Sequence, residues 1–582
     1  MLLKESIKLE CNVPAKMRDG TVLYADVWRP DTGGRYPAIL TRLPYIPCDD
    51  SSALITSSGY MNFQRFARAG YAVVIQDCRG TGVSEGEPYF FRQEFEDGYD
   101  TVEWLANQPW CDGNVGMYGL SYFALTQWAA AATQPPHLKT ICPFGTQSAF
   151  RAFPFSERGD AFRLMHETFF LRMAANKLMR EKLTTKKWKS LYERITYYSD
   201  NMDEQFNFLP IKDSPVSKIT EELGFAPLTS DLLKNIENDN YWKQFGSPFP
   251  FEKVVVPCYH MCGWYDLVSG PGVFESYQEM KARGGSDLAR KNQRLLVGPW
   301  VHEVELVSTV GEVNFGKASS GESIDVTGMH IRWFDYWLKG IDNGVMDEPP
   351  VRIFIMGKNI WRDENEWPLA RTKYTKYYFH SNGQANSRLG NGVLSAGLPD
   401  EEQPDIYLYD PRNPVPTNPP GQEWMFDQQD LEKRTDILVY TSAPLETDIE
   451  VTGPIQIKLW AASSAVDTDF TGKLVDVWPN SKAYNLVDGI IRARYRLSVS
   501  EPKLIEPGRI YEYSINLGNT SNVFKAGHKI RVEISSSNFP RYDRNLNTGH
   551  PIGQDAEINV AEQAVYHDVK YPSYIVLPVI PG

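Results

Sequence analysis

A two-part α/β unit interrupted by helices and followed by an all-β unit is the architecture the sequence predicts, on three patterns. Residues 1–147 and 246–347 alternate short apolar runs with helix-like stretches, as a parallel sheet covered on both faces requires. Residues 148–245 are dense in Met, Leu, Phe, Lys and Arg and contain no strand of comparable strength. Over 348–582 the periodicity falls to two between turns of Gly, Pro, Asn and Asp, the pattern of an antiparallel sandwich or jelly roll.

In chain order, 21–27 and 36–41 read as strands around the turn Asp31-Thr32-Gly33-Gly34. The run Ala72-Val73-Val74-Ile75-Gln76-Asp77 has the continuous apolarity of a strand buried on both faces. Residues 114–118 read as the next strand, 122–133 as an Ala-rich helix without Gly or Pro, and 138–143 as another strand. Residues 162–189 are helical in composition. Strands return at 253–259 and 294–297, and 329–340 reads as a closing helix. Farther on, 448–459, 473–477, 489–499, 511–517, 529–535 and 573–579 are the expected strands.

A chain of 582 residues needs more than one core, since domains run to about 100–200 residues. Its net charge of −13, with no basic run, argues against a nucleic-acid partner. No stretch reaches about 18 apolar residues and the N-terminus has no apolar signal core, so neither a membrane span nor secretion is expected. Seven scattered cysteines (Cys11, Cys48, Cys78, Cys111, Cys142, Cys258 and Cys262) fit reduced thiols in a cytoplasm and complete no zinc site, so no metal is expected.

The chemistry centres on Gly116-Met117-Tyr118-Gly119-Leu120-Ser121-Tyr122-Phe123-Ala124. A strand ends at Gly119 and a helix starts just after Ser121, the setting of a nucleophile elbow. Such a turn lifts the hydroxyl out of the sheet and aims the N–H groups of a helix N-terminus at a nascent oxyanion. The usual second glycine is replaced by Phe123, and the small residue comes one step later, at Ala124. Asp266, in Gly263-Trp264-Tyr265-Asp266, and His302, in Gly298-Pro299-Trp300-Val301-His302, each follow a later strand. The order Ser, Asp, His is that of a strand-end catalytic triad. His302 would take the Ser121 proton, and Asp266 would hold the imidazole tautomer.

Rival residues have structural readings. His260 lies in an expected strand and His330 on an expected helix, where a histidine is usually a packed core residue. Asp77 is read as pairing with Arg79 or capping the Gly-rich turn 79–86, which lacks the spacing and the Lys of a phosphate loop. Trp264, Tyr265, Trp300, Tyr122 and Phe123 flank the catalytic candidates and are expected to wall a substrate pocket, with Trp424 and Phe426 added from the C-terminal unit.

With these residues in place, the chain resembles the CocE/NonD hydrolases, a family of esterases and acylases with more distant X-prolyl dipeptidyl peptidase relatives. The resemblance covers nearly the whole chain. It runs through Arg18-Asp19-Gly20, Tyr24-Ala25-Asp26-Val27-Trp28-Arg29-Pro30, Gly70 to Asp77 with Arg79-Gly80, the Ser121, Asp266 and His302 motifs, Val451-Thr452-Gly453-Pro454, Asp467-Thr468-Asp469-Phe470, Lys473-Leu474-Val475-Asp476-Val477 and Ser535 to Arg541. It implies an α/β-hydrolase (1–147 and 246–347), an inserted helical cap (148–245) and a C-terminal β jelly roll (348–582). It also implies an oxyanion hole from the Tyr45 hydroxyl and the Tyr122 N–H. The expected substrate is a small carboxylic ester, extending to activated amides and β-lactam acyl side chains, with no cofactor and a homodimer as the assembly. The alternative is an X-prolyl dipeptidyl aminopeptidase, which needs an anionic site for the substrate amine. An α-amino acid ester hydrolase also needs an acidic cluster near the pocket, for which Glu303 and Glu305 are candidates, and Ala124 stands where the family usually has Gly.

Overall fold

The computed structural model describes residues 6–45, 62–146, 148, 151, 154–155, 161–266, 270–302, 307–419 and 425–581. A ten-stranded sheet organises the first part. Its strands are β1 (Ile7–Lys16), β2 (Val22–Pro30), β3 (Tyr36–Leu43), β4 (Ala72–Asp77), β5 (Cys111–Leu120), β6 (Leu138–Phe144), β7 (Cys258–Tyr265), β8 (Gln293–Val301), β9 (Val351–Ile355) and β10 (Ile360–Glu364). They run β1-β2-β4-β3-β5-β6-β7-β8-β9-β10 across the sheet. Every pairing from β4 through β9 is parallel, and the outer pairs are antiparallel.

Burial explains the unbroken apolar runs: β4, β7 and β8 are buried at every position. Successive residues point to opposite faces and enter different cores. Ile39, Val73 and Tyr118 pack with Phe66, Trp333 and Phe334. Their neighbours Leu40, Val74 and Met117 pack with Val102, Leu105 and Trp128. The helices supplying these partners are α1 (Phe63–Arg68), α2 (Glu94–Ala106), α3 (Tyr122–Ala132) and, from late in the chain, Val326–Lys339. Close approach is made by small residues. A Cβ on Gly98 of α2 would lie 2.8 Å from the Ala130 Cβ of α3.

Between β6 and β7 the chain is helical, with α4 (His166–Arg180) and α5 (Thr185–Asp200) followed by shorter helices. α4 is fastened to the loop after β4: Lys177 Nζ lies 2.6 Å from Glu87 Oε2, and Arg180 donates to the Ser84 carbonyl at 2.6 Å. After β10 an eleven-stranded, largely antiparallel sheet follows, built around the long pair Ile449–Ser463 and Tyr511–Phe524. Its core is continuous with the β7–β10 end of the first sheet, since Trp264, Val297 and Ile353 share a cluster with Ile457 and Tyr513. No helix among the described residues is long and apolar enough to cross a membrane.

Four strands depart from expectation. The strand expected at 253–259 starts only at Cys258, because Pro257 has no N–H to give a ladder and Phe251–Lys253 forms a 3₁₀ turn. The strand expected at 489–499 is Ala483–Arg492, ended by a 3₁₀ turn in which Asp467 accepts the Arg494 N–H at 2.8 Å. β9 and β10 lie beyond residue 348 yet extend the first sheet, through parallel pairing of β9 with β8.

Candidate active site

β5 ends at Leu120 and α3 begins at Tyr122, so Ser121 alone makes the turn. Its backbone sits at φ 59°, ψ −123°, a conformation that costs an L-residue about 1–3 kcal/mol and persists only where the surroundings enforce it. The enforcement is visible. The Ser121 N–H donates to the Phe144 carbonyl of β6 at 2.9 Å, and the Ser121 carbonyl accepts from Ala124 and Leu125 at 3.0 Å each. Between Val115 and Ala132 every residue except Ser121 is buried. Tyr122 is the first residue of α3, so its N–H has no acceptor within the helix.

The replacement of the second glycine by Phe123 is accommodated at Gly119. A Cβ there, at φ +152°, would lie 2.5 Å from the Phe123 Cβ. Phe123 is buried and meets Tyr45 edge to face, with ring centroids 5.6 Å apart. Tyr45 lies two residues past β3. Burial pushes its phenol up to about 12, with the Arg172 guanidinium pulling the other way, so the hydroxyl stays a proton donor at neutral pH.

Asp266 follows β7 directly and is buried, its carbonyl accepting the Gly270 N–H at 2.8 Å. His302 follows β8, and its Nδ1 lies 2.8 Å from Asp266 Oδ1. Gly145, one residue past β6, touches this pair. At φ +53° a Cβ would stand 2.4 Å from Asp266 Oδ2 and 3.3 Å from His302 Nδ1. The residue before it, Phe144, holds the Ser121 N–H. The ends of β5, β6, β7 and β8 thus bring Ser121, Gly145, Asp266 and His302 into one neighbourhood.

Three members of the expected substrate wall need correction. Trp264 stacks on Phe274 and donates its indole N–H to the Phe354 carbonyl at 2.8 Å. Trp300 is fully buried, packs on Trp361 and donates to the Ser319 carbonyl at 2.9 Å. Both belong to cores, with their polar atoms satisfied there; Tyr265 is likewise buried in the core shared with the C-terminal unit. Phe426 is half-buried, its N–H donating to Asn485 Oδ1 at 3.1 Å. Trp424, Glu303 and Glu305 lie outside the described residues.

The rival histidines are packed groups. His260 Nε2 pairs with Gln293 Oε1 at 2.7 Å, and burial lowers its pKa to about 4. His330 is buried beside Tyr118, and burial lowers its pKa to about 3. Asp77 caps the Gly-rich turn by accepting the Val83 N–H at 2.9 Å. Arg79 pairs instead with Asp97 and Asp19, each at 2.6 Å.

Sequence reasoning missed Gly145, whose only signal is a glycine at the end of β6. It also missed the buried charges under the elbow. The Tyr122 hydroxyl donates to Glu94 Oε1 at 2.8 Å, and Glu94 Oε2 takes Arg42 Nη1 at 2.7 Å. No local pattern in the sequence signalled that Arg42, Glu94 and Asp97 come together in a buried cluster.

Known proteins share this architecture. Residues 19–303 match a family model described as X-Pro dipeptidyl-peptidase (S15 family). Residues 343–576 match the X-Pro dipeptidyl-peptidase C-terminal non-catalytic domain. A cocaine esterase from Rhodococcus sp. (strain MB1 Bresler) is 36% identical, covering 98% of both chains. An aminopeptidase structure from the marine sediment archaeon Thaumarchaeota archaeon superimposes with a TM-score of 0.80 at 25% identity, covering 99% of this chain and 96% of that one. An α-amino acid ester hydrolase structure does so with a TM-score of 0.81 at 24% identity, covering 100% and 98%.

Proposed function

Because this chain belongs to the CocE/NonD family of serine hydrolases, we propose that it cleaves carboxylic esters through an acyl-enzyme on Ser121. The observation that carries this reading is the 2.8 Å bond between His302 Nδ1 and Asp266 Oδ1. It points the other imidazole nitrogen, the one that must act as base, away from the carboxylate. Further support comes from the backbone-enforced elbow and from Gly145, which touches the acid–base pair next to the residue bonded to Ser121.

In the proposed cycle, Ser121 Oγ attacks the ester carbonyl while His302 Nε2 takes its proton. The tetrahedral oxyanion accepts hydrogen bonds from the Tyr45 hydroxyl and the Tyr122 N–H. His302 returns the proton to the departing alcohol as the C–O bond breaks. Water, deprotonated by the same imidazole, then releases the acid and restores Ser121. Asp266 keeps its negative charge and stabilises the transient imidazolium. The helical segment at 148–245 is read as a cap over this site, and the C-terminal unit as a jelly roll.

The S15 family match and the aminopeptidase likeness favour one second reading, release of X-Pro dipeptides. A fluorophosphonate probe tests what both readings share. It should label wild type at Ser121 and leave Ser121→Ala unlabelled. Labelling elsewhere would remove the proposed nucleophile.

A further inference from the structure

Arg172 is an exposed residue in the second turn of α4, and its guanidinium carbon lies 4.7 Å from the centroid of the Tyr45 ring. Among the described residues it has no carboxylate partner. The Tyr45 ring is also met by the buried Phe123 of α3, two residues from Ser121. The phenol ring is therefore contacted both by a cation from the helical segment and by an aromatic ring from the nucleophile helix. α4 is itself fastened nearby through Lys177 to Glu87 and Arg180 to the Ser84 carbonyl, so Arg172 is presented from an anchored helix.

A cation over a phenol face withdraws electron density from the ring and from its O–H bond. The hydroxyl then becomes a stronger donor as negative charge grows on the oxygen it serves. The Arg172 field accordingly draws the Tyr45 phenol down against the larger effect of burial. We propose that Arg172 is a positioning residue for the reaction, stacking on Tyr45 to orient and strengthen its hydroxyl and so coupling the seating of the helical segment to oxyanion stabilisation. The inference rests on the reading of Tyr45 as an oxyanion donor.

A double-mutant cycle on p-nitrophenyl butyrate tests it, with Arg172→Met and Arg172→Lys made in the wild type and in Tyr45→Phe. Phenylalanine keeps the stacked ring and removes the hydroxyl. Tyr45→Phe alone should lower kcat about 10²-fold. Arg172→Met should lower kcat about fivefold with KM nearly unchanged, and Arg172→Lys should recover most of the loss. In Tyr45→Phe, Arg172→Met should cause no further loss. A merely structural arginine would give the same loss in both backgrounds, which would overturn the proposal. A change confined to KM would also overturn it and make Arg172 a substrate contact. A Tyr45→Phe loss with no Arg172 effect would sink this inference alone. An unchanged kcat in Tyr45→Phe would remove the oxyanion reading and the inference together.

Discussion

The hydroxyl of Tyr122 donates to Glu94 Oε1 across 2.8 Å, directly beneath the turn that carries Ser121. The Tyr122 hydroxyl oxygen in turn accepts the Phe91 N–H at 3.0 Å, while Arg42 neutralises the far side of Glu94 at 2.7 Å. One residue thus has two duties. Its side chain is locked into a buried ionic network, and its backbone N–H is the proposed oxyanion donor. Rigid placement of that N–H is what makes it useful, because a donor that must reorganise during the reaction gives back part of its stabilisation.

Tyr122→Phe should therefore cost stability and rate together. Removing a hydrogen bond to a buried carboxylate is worth about 2 kcal/mol. Urea denaturation should show that loss. The kcat for a p-nitrophenyl ester should fall severalfold while fluorophosphonate labelling of Ser121 persists. A variant as stable and fast as wild type would show that the network does not hold the elbow.

Gly145→Ala should uncouple the acid–base pair. A methyl at φ +53° would stand 2.4 Å from Asp266 Oδ2, so either the backbone or the carboxylate has to shift. Displacements of about 1 Å at reacting groups cost about 10²-fold in rate. We expect kcat to drop by that order, with loss of the low-field Nδ1 proton resonance of His302. A normal resonance and normal kcat would mean that Gly145 does not set this geometry.

Ser121, Asp266 and His302 were legible as the candidate nucleophile, acid and base because each rests on a local pattern: a strand, a turn at its C-terminal end, and the order along the chain. Runs such as Ala72–Asp77 were legible for a similar reason, since burial on both faces writes a continuous apolar stretch. Direction was not legible. Trp264 and Trp300 sit beside catalytic residues in the sequence, but strand geometry turns both rings into the core. Gly298 leaves the room for this, since a Cβ there would lie 2.3 Å from the Trp300 indole. Long-range pairings were equally hidden. Nothing local says that Arg79 reaches Asp97 rather than Asp77, or that Arg172 lies on Tyr45.

Glu167 predicts a pH dependence of stability. It is fully buried in α4, bonded by Thr229, Ser214 and Gln205, and burial raises its pKa to about 7. The folded chain holds this proton up to about pH 7, whereas the unfolded chain releases it near the ordinary carboxylate value of about 4.3. Native protein thus binds more protons across that window, and the contribution of Glu167 to stability falls as pH rises through it. Glu167→Gln mimics the protonated form. Its unfolding free energy relative to wild type, from urea denaturation, should improve between pH 5 and pH 8 by an amount on the order of 2 kcal/mol. A constant difference would show that Glu167 does not titrate in this way.

The central claim is an ester-cleaving Ser121, and the most direct test is turnover of a p-nitrophenyl ester series and Gly-Pro p-nitroanilide by wild type and Ser121→Ala. The account predicts ester hydrolysis by wild type, faster than anilide cleavage, and its disappearance in Ser121→Ala. Ester turnover that survives in Ser121→Ala would contradict it.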